Sequence, residues 1–215
     1  ISNNNNKLFI SSLSPNVMAS IQLLTRNNFK NPYLLSKSYP YIKTTLVDDQ
    51  KLLFLEGSLT DVNQALQEVI IDLNGFDSCQ GVVNFTDGVN PPKSRSFENI
   101  VPHLNISRDA VFISQDNKLF ISSLATNLVA SIQLLTRNSS KNPYFVSKSY
   151  PYLRSSLTDQ QTLLFLEGPL ADINSALREI VIDLNTFTSC DGVVNFTDGV
   201  NPPKSRFFPN ISAHL

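Results

Sequence analysis

Short runs of Val, Ile, Leu, Phe, Thr and Tyr alternate with clusters of Asn, Asp, Pro and Gly along the whole chain. That spacing is the pattern of many short strands joined by tight turns, as in a β-sandwich. In the first half it predicts strands near Lys7–Leu13, Ala19–Arg26, Tyr33–Tyr39, Leu52–Glu56, Val69–Leu73, Val82–Thr86 and Ile100–Ile106. Pro32, Pro40, Pro91 and Pro92 have no N–H for a ladder, so they belong in turns or at edges. One segment has the other period. Val62, Ala65, Leu66 and Val69 fall at i, i+3, i+4 and i+7, the apolar stripe of a short helix. Asp61, and Asp172 in the second half, is its expected N-cap.

The whole pattern occurs twice. Asn6-Lys7-Leu8-Phe9-Ile10-Ser11-Ser12-Leu13 returns as Asn117-Lys118-Leu119-Phe120-Ile121-Ser122-Ser123-Leu124, an offset of 111. That offset aligns residues 6–104 with 117–215 without a gap; 29 of the 99 positions differ, leaving 70 identities. Two domains follow, 1–107 and 108–215, each of a size that folds unaided. Swaps such as Val62/Ile173, Val69/Ile180, Leu34/Phe145 and Ile42/Leu153 are the volume-tolerant kind that cores accept. Gln67/Arg178 and Lys51/Thr162 read as solvent positions. The chain begins at Ile1 and the second copy stops at Leu215, the counterpart of Leu104, so a segment of a longer repeat array is expected. The stretch from Pro91 to Asp116 is expected to be ordered without calcium. Phe97, Ile100, Val101, Leu104 and Ile106 are read as forming a final strand that helps seal the joint between the copies.

Charge narrows the function. Seventeen basic and 18 acidic residues leave a net charge of −1, which gives no electrostatic footprint for nucleic acid or an acidic membrane. No apolar run approaches the roughly 20 residues needed to span a bilayer, and no signal peptide is present in this segment.

The helix and its flanks carry a family resemblance. Leu53-Phe54-Leu55-Glu56-Gly57-Ser58-Leu59-Thr60-Asp61-Val62-Asn63-Gln64-Ala65-Leu66 resembles the L-x-G-T-x-A-D-I-N-A-A-L signature of bacterial cadherin-like repeats. The second copy resembles it more closely, in Gly168-Pro169-Leu170-Ala171-Asp172-Ile173-Asn174-Ser175-Ala176-Leu177. Gly81-Val82-Val83-Asn84-Phe85-Thr86-Asp87-Gly88 stands where the family has a Gly, a strand and Val-x-Phe-Thr-Asp-Gly. The resemblance implies an all-β fold: two tandem Greek-key β-sandwich domains of cadherin or Ig-like type, each with one short helix. It also implies arrays on surface or secreted adhesins, often with calcium between domains.

Calcium requires six to eight oxygens, several from carboxylates. Here the linker-like run Thr86-Asp87-Gly88-Val89-Asn90 has one carboxylate. Asp87, Asn90, Asp198 and Asn201 are therefore the only metal candidates, and no other cofactor is implied. Their alternative role is to shape a turn. Asn31-Pro32-Tyr33 and Tyr39-Pro40-Tyr41 offer aromatic ligand contacts, so Tyr33, Tyr39, Tyr41, Tyr144, Tyr150 and Tyr152 are the ligand-binding candidates, with turn and edge packing as the competing role. Cys79 and Cys190 are one position seen twice, as are His103 and His214. One Cys per copy excludes a disulfide within a copy, and a buried, inert thiol is expected. No Cys/His metal spacing, nucleophilic pair or phosphate cradle stands out, so no enzyme is expected. Five matches to the glycosylation sequon, at Asn84, Asn105, Asn138, Asn195 and Asn210, carry little weight in an Asn-rich chain. The resulting expectation is an extracellular or cell-surface adhesion repeat. It would act as a spacer with loop-mediated contacts, its partners being neighbouring repeats and a host or cell-surface protein or glycan. The alternative is a carbohydrate- or protein-binding module with one site per repeat.

Overall fold

The computed structural model describes residues 1–4, 6–24, 27, 30–135 and 141–215, with residues 2–4 described by backbone alone. The predicted strand end at Arg26 and the sequon at Asn138 lie outside the described residues. Ile1–Ser107 and Arg108–Leu215 are two compact units. Among the described residues both are mostly β, with several sheets and one short α-helix each.

In unit 1 the order is β1 (Ser2–Asn4), β2 (Lys7–Phe9), β3 (Asn16–Leu24), β4 (Tyr33–Leu34), β5 (Lys43–Val47) and β6 (Leu52–Ser58). Then come α1 (Leu59–Glu68), β7 (Ile70–Asp72), β8 (Gln80–Thr86), β9 (Lys93–Phe97) and β10 (Asn105–Ile106). Unit 2 runs β11 (Ala110–Ile113), β12 (Leu119–Ser122), β13 (Asn127–Leu135), β14 (Tyr144–Phe145), β15 (Arg154–Thr158) and β16 (Leu163–Pro169). It ends with α2 (Leu170–Glu179), β17 (Ile182–Asp183), β18 (Asp191–Thr197) and β19 (Lys204–Phe208).

The frame of unit 1 is an antiparallel five-stranded sheet in the order β5-β6-β3-β8-β9, and unit 2 repeats it as β15-β16-β13-β18-β19. The central strand β3 alternates strictly. Val17, Ala19, Ile21 and Leu23 are buried, while Asn16, Met18 and Leu24 face solvent. Period-two alternation turns one face of the sheet inward. Leu53, Leu55 and Val83 join that face from the neighbouring strands, and Val62, Ala65 and Leu66 of α1 cover it. Unit 1 also has a small sheet of β10-β7-β4, in which β10 runs parallel to β7, and an antiparallel β1-β2 pair.

The helix stripe is buried as the periodicity predicts, but the cap differs. Helix α1 starts at Leu59, directly out of β6, and Ser58 is the N-cap. Its Oγ accepts the Asp61 N–H at 3.1 Å and donates to Asp61 Oδ2 at 2.7 Å, so Asp61 sits in the first turn. There its charge meets the positive end of the helix dipole. Helix α2 has Pro169 at the cap position and no capping side chain.

Three strands of unit 1 escaped the pattern, β1, β5 and β9. Both β5 and β9 are edge strands, and edges carry polar and charged residues that remove the apolar signal. The strand predicted at Ile100–Ile106 forms only at its end, as β10; before it Val101–His103 is a 3-10 turn containing Pro102, which cannot donate to a ladder. Phe97, Ile100, Val101 and Leu104 are buried in unit 1's own core, and Ile106 is exposed. Those four side chains are thus consumed within the unit.

Candidate functional site

At one end of the five-stranded sheet four strand termini meet: the start of β3, the end of β6, the start of β5 and the end of β8. On the outer face of that end the register sets Met18 opposite Glu56, Glu56 opposite Lys43, and Met18 opposite Thr86. These residues, with Asn16 and Asp87, line an open groove of about 440 Å³. In unit 2 Asn127, Val129, Arg154, Glu167, Thr197 and Asp198 occupy the same places and line a groove of about 600 Å³. Both volumes fall in the range of small-ligand sites. Every lining position of the first groove has its counterpart in the second at the offset of 111.

The groove combines an apolar floor with opposed charges. Met18 and Val129 are exposed at 41% and 40%, which leaves an apolar surface open in each copy. Lys43 Nζ lies 2.9 Å from Glu56 Oε2, and Arg154 Nη1 lies 3.8 Å from Glu167 Oε1. Both pairs are solvent-exposed, so each adds little to stability and stays available to a ligand. Gly57 also lines the groove, but its missing side chain serves packing: a Cβ there would stand 2.8 Å from Ile42 Cγ2.

The turn after β8 forms the groove's acidic lip. Asp87 Oδ1 accepts the N–H groups of Val89 at 3.0 Å and Asn90 at 2.8 Å, and Asn90 Nδ2 donates to Oδ2 at 2.7 Å. Gly88, at φ 77°, takes the left-handed position of that turn. Donation from the Asn90 N–H first, then from its amide and the Val89 N–H, brings the Asp87 carboxyl down to about 2. Asp198 makes the same bonds to Val200 and Asn201. Burial works against ionisation of Asp198, yet the donors of Asn201 and Val200 still hold its carboxyl below the usual range. The metal candidates are therefore brought together in pairs, each carboxylate closing its own turn. Among the described residues no group of three or more His, Cys, Asp or Glu side chains converges.

The tyrosine candidates separate. Tyr33, Tyr39 and Tyr150 are buried. Tyr33 donates to Asp72 at 3.0 Å and Tyr144 to Asp183 at 2.7 Å. Tyr41 and Tyr152 donate to the last helical residue, Glu68 at 3.2 Å and Glu179 at 3.0 Å. Lys37 and Lys148 bind the same carboxylates at 2.7 Å and 2.6 Å and lie over the rings of Tyr39 and Tyr150. These clasps tie the loop before β5 or β15 to the helix end. Burial, with the Glu179 carboxylate, pushes the Tyr152 phenol up to about 12. Tyr152 is also exposed at 38% and lines the unit 2 groove with Pro151, so one aromatic candidate reaches the site.

Met18, Lys43 and Glu56 were not singled out in the sequence. Only the register places them side by side; the available signal was the retained charge at Lys43/Arg154 and Glu56/Glu167. The thiols of Cys79 and Cys190 are buried, and burial pushes both above the usual range. No helix among the described residues is long and apolar enough to cross a membrane.

No family model matches the chain, and no curated protein does. Among solved structures, the C-terminal domain of the Streptococcus agalactiae AgI/II polypeptide BspA is similar at 9% identity and a TM-score of 0.31. The match covers 94% of this chain and 88% of that one. A further solved chain, BspA_C_WT, matches over the same shares at 8% identity and a TM-score of 0.30. Likeness at this level carries no functional argument.

Proposed function

We propose that the chain is a pair of adhesion-type repeat modules from an extracellular surface protein, each presenting one ligand-contact groove at the end of its five-stranded sheet. One observation carries the reading: the groove recurs in both units with its chemistry intact through substitution. Met18 becomes Val129 and Lys43 becomes Arg154, while Asn16, Glu56, Thr86 and Asp87 keep their identity. An apolar floor flanked by hydrogen-bonding groups suits a host or cell-surface glycan or a protein loop. The reading is non-enzymatic, since the groove's carboxylates and cations pair with one another or with a turn. It carries with it a Greek-key sandwich of cadherin-like type for each unit. That is supported by the helix motif and by an antiparallel sheet with one face covered. The gapless repetition also supports a spacer role beside binding.

The test is binding of the two-unit chain to a glycan array and to immobilised extracellular-matrix proteins, against a Met18→Asp, Val129→Asp double variant. Both positions lie on the sheet's outer face, so the variant keeps the core. Binding that the double variant loses supports the reading. Binding that survives it, or none by the parent chain, rejects the groove as the contact site.

A further inference from the structure

We infer that Asn74 is a covalent ageing site, at which the side-chain amide converts spontaneously to aspartate and isoaspartate through a cyclic imide with Gly75. Asn74 and Gly75 are the central pair of a tight turn closed by the Phe76 N–H and the Leu73 carbonyl at 2.9 Å. Both have positive φ, 50° and 90°, the backbone that Asn-Gly pairs favour. Gly75 is exposed and has no Cβ to shield its nitrogen. The Lys30 ammonium reaches within 3.0 Å of where that Cβ would stand. A neighbouring cation favours the ionised form of a group that must lose a proton, and the Gly75 nitrogen must do so to attack.

The chemistry needs only water. The Gly75 nitrogen bonds to Cγ of Asn74, the Cγ–Nδ2 bond breaks, and Nδ2 leaves as ammonia with the proton given up by Gly75. Water then opens the five-membered imide at one of its two carbonyls. One opening gives aspartate; the other gives isoaspartate, which inserts a methylene into the backbone.

The product is not neutral for the fold. Asn74 Nδ2 donates to the Asn31 carbonyl at 3.1 Å, tying the turn to the segment that leads into β4. A carboxylate in its place has no hydrogen to give and faces that carbonyl. It also stands two residues from buried Asp72, whose carboxylate takes the Asn74 N–H at 2.8 Å and the Tyr33 hydroxyl at 3.0 Å. Conversion therefore loosens the turn from β4, and the added methylene of isoaspartate breaks the turn geometry.

Unit 2 supplies the internal control. Asn185 has the same tether, to Asn142 at 3.3 Å, but is followed by Thr186, whose branched side chain crowds the attacking nitrogen. The experiment incubates the folded two-unit chain in mildly alkaline buffer and follows both peptides by mass spectrometry, with isoaspartate read by an isoaspartyl methyltransferase. Asn74 is expected to convert several-fold faster than Asn185. Gly75→Thr should lower its rate to that of Asn185, and Thr186→Gly should raise Asn185 towards Asn74. Equal rates in the parent chain, or rates that ignore the exchanged residues, overturn the inference.

Discussion

The amide of Asn63, on helix α1, closes on the backbone of Ile10 from both sides. Its Oδ1 accepts the Ile10 N–H at 2.7 Å and its Nδ2 donates to the Ile10 carbonyl at 2.8 Å, all within the buried interior. Asn174 holds Ile121 in the same way, at 2.8 and 2.9 Å. Ile10 lies just past the end of β2, and Ile121 lies within β12 opposite Val111. In both units the helix side chain thus satisfies the N–H and the carbonyl of one buried residue.

Replacing Asn63 with Ala strands a buried donor and a buried acceptor. Each costs about 1–3 kcal/mol when left unpaired, so a loss of roughly 2–6 kcal/mol is expected. Urea unfolding of unit 1 measures it; a loss under about 0.5 kcal/mol would mean that the lock is not formed.

Leu66 is fully buried between the helix and the sheet. Leu66→Ala should cost roughly 2–5 kcal/mol through lost burial and the cavity left behind. The equivalent Leu177→Ala should behave alike, since Leu177 is equally buried. A chemical-denaturation midpoint indistinguishable from the parent's would place this face away from the core.

Thr186 has φ 82°, where Gly75 stands in unit 1. A β-branched residue in the left-handed region is strained, at a cost of about 1–2 kcal/mol. Thr186→Gly should therefore stabilise unit 2 by about that amount, less the entropy that glycine gains in the unfolded chain. Thr186→Ala, which keeps a Cβ at the same φ, should recover less. Equilibrium unfolding of the two variants separates strain relief from loss of branching, and a Gly variant no more stable than the Ala variant would contradict it.

The Asp87 turn has a defined pH window. Its folded carboxyl lies at about 2, below the ordinary 3.8. A depressed folded value means that the contribution to the turn is complete above the ordinary value and is lost as pH falls through about 2. The amide resonances of Val89 and Asn90 should shift together with a midpoint near 2. A midpoint near 3.8 would show that their N–H groups do not hold the carboxylate. At neutral pH, calcium or a chelator should leave both resonances in place; movement on adding calcium would turn the pair into an ion site.

Much of this architecture was written into the chain. The i, i+3, i+4 spacing of Val62, Ala65, Leu66 and Val69 specified the helix and its buried face, because a 3.6-residue repeat leaves only one side for apolar residues. The apolar run read as a strand over Ala19–Arg26 located the central strand, which the structure places at Asn16–Leu24. Asn63 was part of the helix motif, but nothing in its identity said that its amide would grip Ile10, 53 residues away. The edge strands β5 and β9 were hidden because an edge has to be polar, which erases the signal that betrays a strand. The groove depended most on tertiary structure. Met18, Lys43, Glu56 and Thr86 come from four strands, and cross-strand register alone decides which side chains become neighbours. A slip of one residue would have sent each of them to the opposite face.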